Sequence, residues 1–131
     1  MCGRVTYTYD TNPVNGAFSQ YSTGRLTTAQ YQVCAPGQVS AQGSTSNAGG
    51  AMTEMYSYQP AGAVTAKQMQ VAREGTDSDG NGAYATGSVE ADYTYNQAGQ
   101  VATYGVQYPA TPGPVPVTYT YAYDSMARRV L

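Results

Sequence analysis

Histidine is missing from this chain, and with it go the usual general base and the commonest zinc ligand. Isoleucine is missing too, leucine occurs twice and phenylalanine once. A dry aliphatic core of ordinary size therefore has little to be built from. Cations are scarce: one lysine and five scattered arginines give a net charge of −2. Nucleic acid is excluded as a partner on that ground, because phosphate neutralisation needs grouped Lys and Arg. No run approaches the roughly 20 apolar residues of a membrane-spanning helix, and no apolar leader stands at the N-terminus or in front of Cys2. Met1, Cys2, Gly3, Arg4 reads as an internal cut or an incomplete reading frame rather than a secretory start. Cys2 and Cys34 lack an activating partner, and the glycine-rich loops lack the Lys and the helix of a phosphate cradle. Glu90 and Asp92 share one face of a strand, an arrangement that reads as a solvated face. No catalytic constellation remains, and the expectation is a protein that is not an enzyme.

What the chain has is tyrosine, 14 in 131 residues, in a recurring phrase. Tyr93, Thr94, Tyr95, Asn96, Gln97, Ala98, Gly99, Gln100, Val101 states it in full. Two tyrosines flank a small residue, then come a polar residue, two spacers, a glycine, one spacer and a branched apolar residue. Tyr56 to Val64 repeats it, with the turn glycine at Gly62, and Tyr121 to Arg129 repeats it with alanine at the glycine position. A fourth copy opens at Tyr7, Thr8, Tyr9, Asp10 and closes at Gly24, Arg25, Leu26 after an insertion. Strict alternation in Val5, Tyr7, Tyr9 and in Tyr119, Tyr121, Tyr123 puts the tyrosines of each strand on one face. The Asp or Asn after the second tyrosine can bond the backbone two residues on, and the glycine supplies a positive φ. Each phrase is thus predicted to be a β-hairpin with a loop of about four or five residues. A unit so small cannot bury its own apolar face and must stack on its neighbours.

These phrases resemble the YD-repeat proteins, also called rearrangement hotspot (RHS) repeats, whose motif is close to G-x-x-x-x-Y-x-Y-D-x-x-G-R-L. The matching pieces are Tyr7 to Asp10 with Gly24, Arg25 and Leu26, the phrases at Tyr56 and Tyr93, and Tyr121 to Arg128. The resemblance implies a long ribbon of hairpins that spirals into a hollow shell, which in bacterial relatives encloses a toxic C-terminal polypeptide. Two departures stand out. Gln59 and Asn96 replace the Asp in the middle copies, and the family's self-cleavage signature, of the Asp-Pro-x-Gly-Leu type, does not occur. Both argue against protease activity within this segment.

The predicted fold class is all-β: successive antiparallel hairpins in an extended twisted sheet, one region over residues 1–131 with long polar loops. Repeats fall near 5–34, 52–71, 89–108 and 117–131, and loops at 35–51, 72–88 and 109–116. The return strand after Gly62 is ambiguous in register. Pro109, Pro112, Pro114 and Pro116 form a stiff connector unable to donate to a central ladder. After Arg129 the sequence stops at Leu131 one strand into a hairpin, which leaves a partner strand missing. Cys2 and Cys34 could close a loop of about 33 residues, worth roughly 3–4 kcal/mol through the unfolded state; a link between copies and two unpaired thiols are the alternatives. Asp77, Ser78, Asp79, Gly80, Asn81, Gly82 matches the first half of a calcium loop. Position twelve is Ser88 where a bidentate Glu belongs, so calcium through Asp77, Asp79 and Asn81 stands against a plain turn in a solvent loop.

Two classes of function fit. In the first the chain is a structural strip of shell, secreted or at the cell surface, that joins further strands or copies edge to edge, as a homo-oligomer, a filament or part of a longer RHS chain. Its ladder residues are Tyr7, Tyr9, Tyr56, Tyr58, Tyr93, Tyr95, Tyr119, Tyr121 and Tyr123, with turns at Gly24, Gly62 and Gly99. In the second, exposed tyrosine rows stack on sugar rings, making a carbohydrate-binding module or adhesin. Rings facing solvent in a groove would favour binding, and rings packed against a neighbouring hairpin would favour structure.

Overall fold

A computed structural model describes residues 3–32, 51–76, 82–108 and 115–130. Every regular element in them is a strand: β1 (Val5–Tyr9), β2 (Leu26–Gln32), β3 (Ala51–Tyr58), β4 (Val64–Thr76), β5 (Gly82–Tyr95), β6 (Val101–Tyr108), β7 (Val115–Thr120), β8 (Ala122–Tyr123) and β9 (Arg129–Val130). The first seven form one sheet in chain order, and β8 and β9 pair in a second. All pairings are antiparallel. The fold is therefore the all-β succession of hairpins that the alternating tyrosines predict, and no helix among these residues is long and apolar enough to cross a membrane.

The four phrases fold alike at their turns. The amide of the residue after the second tyrosine donates to the carbonyl four residues on in three of them: Gln59 to Ala63, Asn96 to Gln100, and Asp124 to Arg128, each at 2.9 Å. The fourth residue of the turn donates back, from Gly62 to Gln59, Gly99 to Asn96 and Ala127 to Asp124. It sits at a φ of 100°, 78° and 62° in the three copies. A type I turn followed by a left-handed residue is the three-residue hairpin loop with a bulge. In the first copy Asp10 donates to the Arg25 carbonyl and Gly24 has a φ of 72°, so the thirteen residues 11–23 occupy the place of two spacers.

A bulge follows each of the first three turns on the return strand. Tyr9 faces Leu26 but Thr8 faces Thr28, Tyr58 faces Val64 but Ser57 faces Ala66, and Tyr95 faces Val101 but Thr94 faces Thr103. Thr27, Thr65 and Ala102 are the extra residues. In each the extra residue is left unpaired across its hairpin and the ladder is interrupted locally. The ambiguous return strand resolves into one register, with Met69 opposite Glu54 and Gln68 opposite Met55.

The sheet has two unlike faces. Cross-strand partners place Thr8, Thr28, Met55, Gln68, Glu90, Gln107 and Pro116 in one row, a mostly polar face. Strand alternation places Tyr7, Tyr9, Tyr56, Tyr58, Tyr93, Tyr95 and Tyr119 on the opposite face. The insertion supplies the cover over the first face. Ser19 donates to the Tyr56 carbonyl at 2.7 Å, the Gln20 amide donates to Ser57 Oγ at 3.0 Å, and Asn12 donates to Ser19 Oγ at 2.9 Å. Met55, Thr27 and Thr28 lose all solvent contact there, and Ser57 and Asn12 nearly all. The insertion, which reads from sequence as a loop between strands, is thus a lid over a small local core. Pro116 lies in β7, at the edge of the seven-stranded sheet, where a missing amide costs no ladder bond.

Candidate assembly interface

The nine tyrosines singled out by the phrase divide into two sets with different partners. The second tyrosine of a phrase reaches backward along the chain. Tyr58 donates its hydroxyl to the Leu26 carbonyl at 2.7 Å, Tyr95 to the Val64 carbonyl at 2.6 Å, and Tyr123 to the Val101 carbonyl at 2.8 Å. Leu26, Val64 and Val101 are the same residue of successive phrases, the branched apolar one that opens the return strand. Each hairpin is therefore fastened to the one before it by an identical bond. Burial lifts the Tyr58 and Tyr95 phenols above the ordinary tyrosine range, with Arg25 opposing the effect at Tyr58, so both stay protonated donors at any physiological pH.

Backbone pairing between hairpins keeps the same step. Thr28 faces Met55, Ala66 faces Asp92, and Thr103 faces Thr120. In every case the fourth residue after one turn's left-handed glycine meets the fourth residue before the first residue of the next turn. A side chain spans two of these junctions. Arg25 lies 5.5 Å over the Tyr58 ring, and its guanidinium donates to the carbonyls of Gln59 at 3.5 Å and Pro60 at 3.4 Å. Gln100, at the equivalent place, donates to the Ala127 carbonyl at 3.3 Å. Gly62 meets two demands at once: a Cβ there would come within 3.2 Å of Arg25 Nη2, and its φ is positive.

The first tyrosines pack sideways. Tyr56 donates to Glu54 at 2.8 Å, and Lys67 lies 5.4 Å over its ring and 2.9 Å from the other Glu54 oxygen. Burial works to raise the Glu54 carboxyl, but hydrogen bonds from Lys67, Tyr56 and Tyr31 outweigh it and hold the group below its usual value. Tyr93 sits 5.2 Å from Tyr104, which sits 6.1 Å from Tyr119 and nearly parallel to it, a continuous stack across β5, β6 and β7. Tyr121 lies beneath Arg129 at 5.2 Å, and its amide donates to the carbonyl of the bulged Ala102. Tyr7 and Tyr9 are exposed on β1, each at 56%.

The polar face carries its own cross-strand bonds. Gln68 donates to Glu90 at 2.9 Å and Gln107 donates to Asp92 at 3.0 Å. Burial and the neighbouring Asp92 raise the Glu90 carboxyl, with the Gln68 bond opposing. Cys2, Cys34 and the calcium candidates Asp77, Asp79 and Asn81 lie outside the described residues.

No protein-family model, curated protein or solved structure matches this chain. Several participants escape sequence reasoning: Tyr104 as the ring partner of Tyr93 and Tyr119, Tyr31 as a further donor to Glu54, and Arg25 and Gln100 as bridges between turns. The acceptor role of Leu26, Val64 and Val101 escapes as well. Their fixed distance after each turn was visible as grammar, but a backbone carbonyl leaves no mark in a sequence.

Proposed function

We propose that this chain is a strip of YD-repeat-type β-sheet with a structural, non-enzymatic role, built to continue by adding strands at its edges. It serves as a homo-oligomer or filament outside the cell, or as part of a longer chain of such repeats. The observation that carries this reading is the recurrence of one junction, with the same hydroxyl-to-carbonyl bond and the same register step between every pair of successive hairpins. Such units are stabilised by nearest neighbours, so more units add more stability. A sheet with open edges at β1 and β7 also offers unpaired backbone to another strand.

Sugar binding through tyrosine rows has weaker support. Tyr93, Tyr104 and Tyr119 turn toward one another, and Tyr56 and Tyr121 are covered by cations. Tyr7, Tyr9 and Tyr119 stay exposed, but they stand on opposite edge strands, β1 and β7, rather than in one row. Electron microscopy of the purified chain tests the proposal: filaments, rings or closed shells are expected across a concentration series. Small monodisperse particles at every concentration would overturn it.

A further inference from the structure

One junction is present in two separate halves. Tyr9 is the second tyrosine of its phrase, as Tyr58, Tyr95 and Tyr123 are of theirs. Those three hydroxyls are bonded to the preceding hairpin. Tyr9 has no preceding hairpin among the described residues, the residue is 56% exposed, and its hydroxyl meets no partner there. At the far end stands the complementary half. Arg129 occupies the place of Leu26, Val64 and Val101, opposite the second tyrosine of its own phrase. Because the Asp124 amide closes the turn on the Arg128 carbonyl, the next pair, Tyr123 with Arg129, is of the kind whose carbonyls point away from the hairpin. Arg128 matches Arg25 in position, and its side chain is 71% exposed.

We infer that the β1 end of one copy docks on the β8–β9 hairpin of a second copy, with the Tyr9 hydroxyl donating to the Arg129 carbonyl. Arg128 of that second copy then lies over the Tyr9 ring, as Arg25 lies over Tyr58. The junction continues an interface already formed three times inside the chain. Its halves are different surfaces at opposite ends, so the contact is heterologous and propagates head to tail into rings or open filaments. The inference rests on the self-association proposed above and specifies which ends meet.

Two variants and one cross-link test it. Tyr9→Phe keeps the ring and deletes only the donor, so monomer stability stays unchanged while the concentration needed for assembly rises about tenfold, the worth of one hydrogen bond of ordinary strength. Arg128→Ala raises it as well. A benzophenone side chain in place of Tyr9, irradiated in the assembled state, is expected to label the peptide containing residues 124–130 of another copy. If the wild type assembles but both variants assemble equally well, or the label lands elsewhere, the junction is wrong while self-association stands. If the wild type stays monomeric at all concentrations, self-association and the junction both fall.

Discussion

Ala127 holds the place that glycine holds in the other phrases, at a φ of 62°. A left-handed residue with a Cβ is strained by about 1–2 kcal/mol. Ala127→Gly is therefore expected to stabilise the last hairpin by about 1 kcal/mol, read as slower amide exchange at Arg128 and Arg129. Asp124 compensates part of the strain from the other side of the turn, since its carboxylate accepts from the amides of Met126 and Arg128 and from Arg128 Nε. The backbone bond from Arg128, foremost among these, holds the carboxyl below its usual value. A carboxyl depressed in the folded state stabilises above its ordinary pKa of about 3.9 and stops doing so as pH falls through the lower folded value. The last turn is thus expected to be intact at about pH 5 and to weaken progressively as pH falls below the ordinary carboxyl value toward the lower folded one, as followed by the carboxyl chemical shift of Asp124 and the amide signal of Arg128. Thr28 is a residue of the opposite kind. Its hydroxyl is fully buried and meets no partner among the described residues, so Thr28→Val is expected to stabilise by about 1 kcal/mol in urea denaturation, by removing an unsatisfied polar group. An unchanged or lower midpoint would mean that the hydroxyl is served by water.

Among the elements, the hairpin is the unit and the tyrosine latch is what distinguishes a stack of hairpins from a row of them. Sheet pairing alone would allow β2 and β3, or β4 and β5, to slip by two residues without turning a side chain to the other face. The latch removes that freedom, because Tyr95 reaches the Val64 carbonyl only at the observed step. Tyr95→Phe leaves the ring in place and orphans a half-buried carbonyl. The expected cost is about 1 kcal/mol in urea denaturation. Tyr9→Phe, at a hydroxyl with no partner within the described residues, is expected to leave the same midpoint unmoved. Equal midpoints for both variants would mean that the latch adds no stability. The insertion of the first hairpin works at this scale too: by bonding Tyr56 and Ser57 it fixes where β3 ends and shelters Met55.

For the whole molecule, the thin sheet and the shortage of charge have one consequence. Among the described residues only Lys67 with Glu54, and Arg128 with Asp124, form ion pairs. In the proposed assembly, association between copies would depend on backbone bonds and ring contacts rather than on opposed charge. Raising salt from about 0.05 to about 0.5 M, which shortens the screening length severalfold, is expected to shift the assembly concentration by less than about twofold in sedimentation or light scattering. A steep salt dependence would point to a charged interface in place of the tyrosine edge.

The alternation of tyrosines, the turn residues and their spacing determined the hairpins by themselves, because period-two patterning and a left-handed glycine are local demands that a few adjacent residues satisfy. Which loop would become a lid was not legible: Asn12, Ser19 and Gln20 look like ordinary loop residues until β3 is beside them. Nor was the division of the tyrosines into latches and stacks, since the hydroxyl of Tyr58 finds its acceptor 32 positions away. Only the tertiary structure decided those pairings, because a carbonyl's direction depends on which strand pair closes the turn. A ring's neighbours, likewise, depend on strands that meet only after the whole sheet is in register.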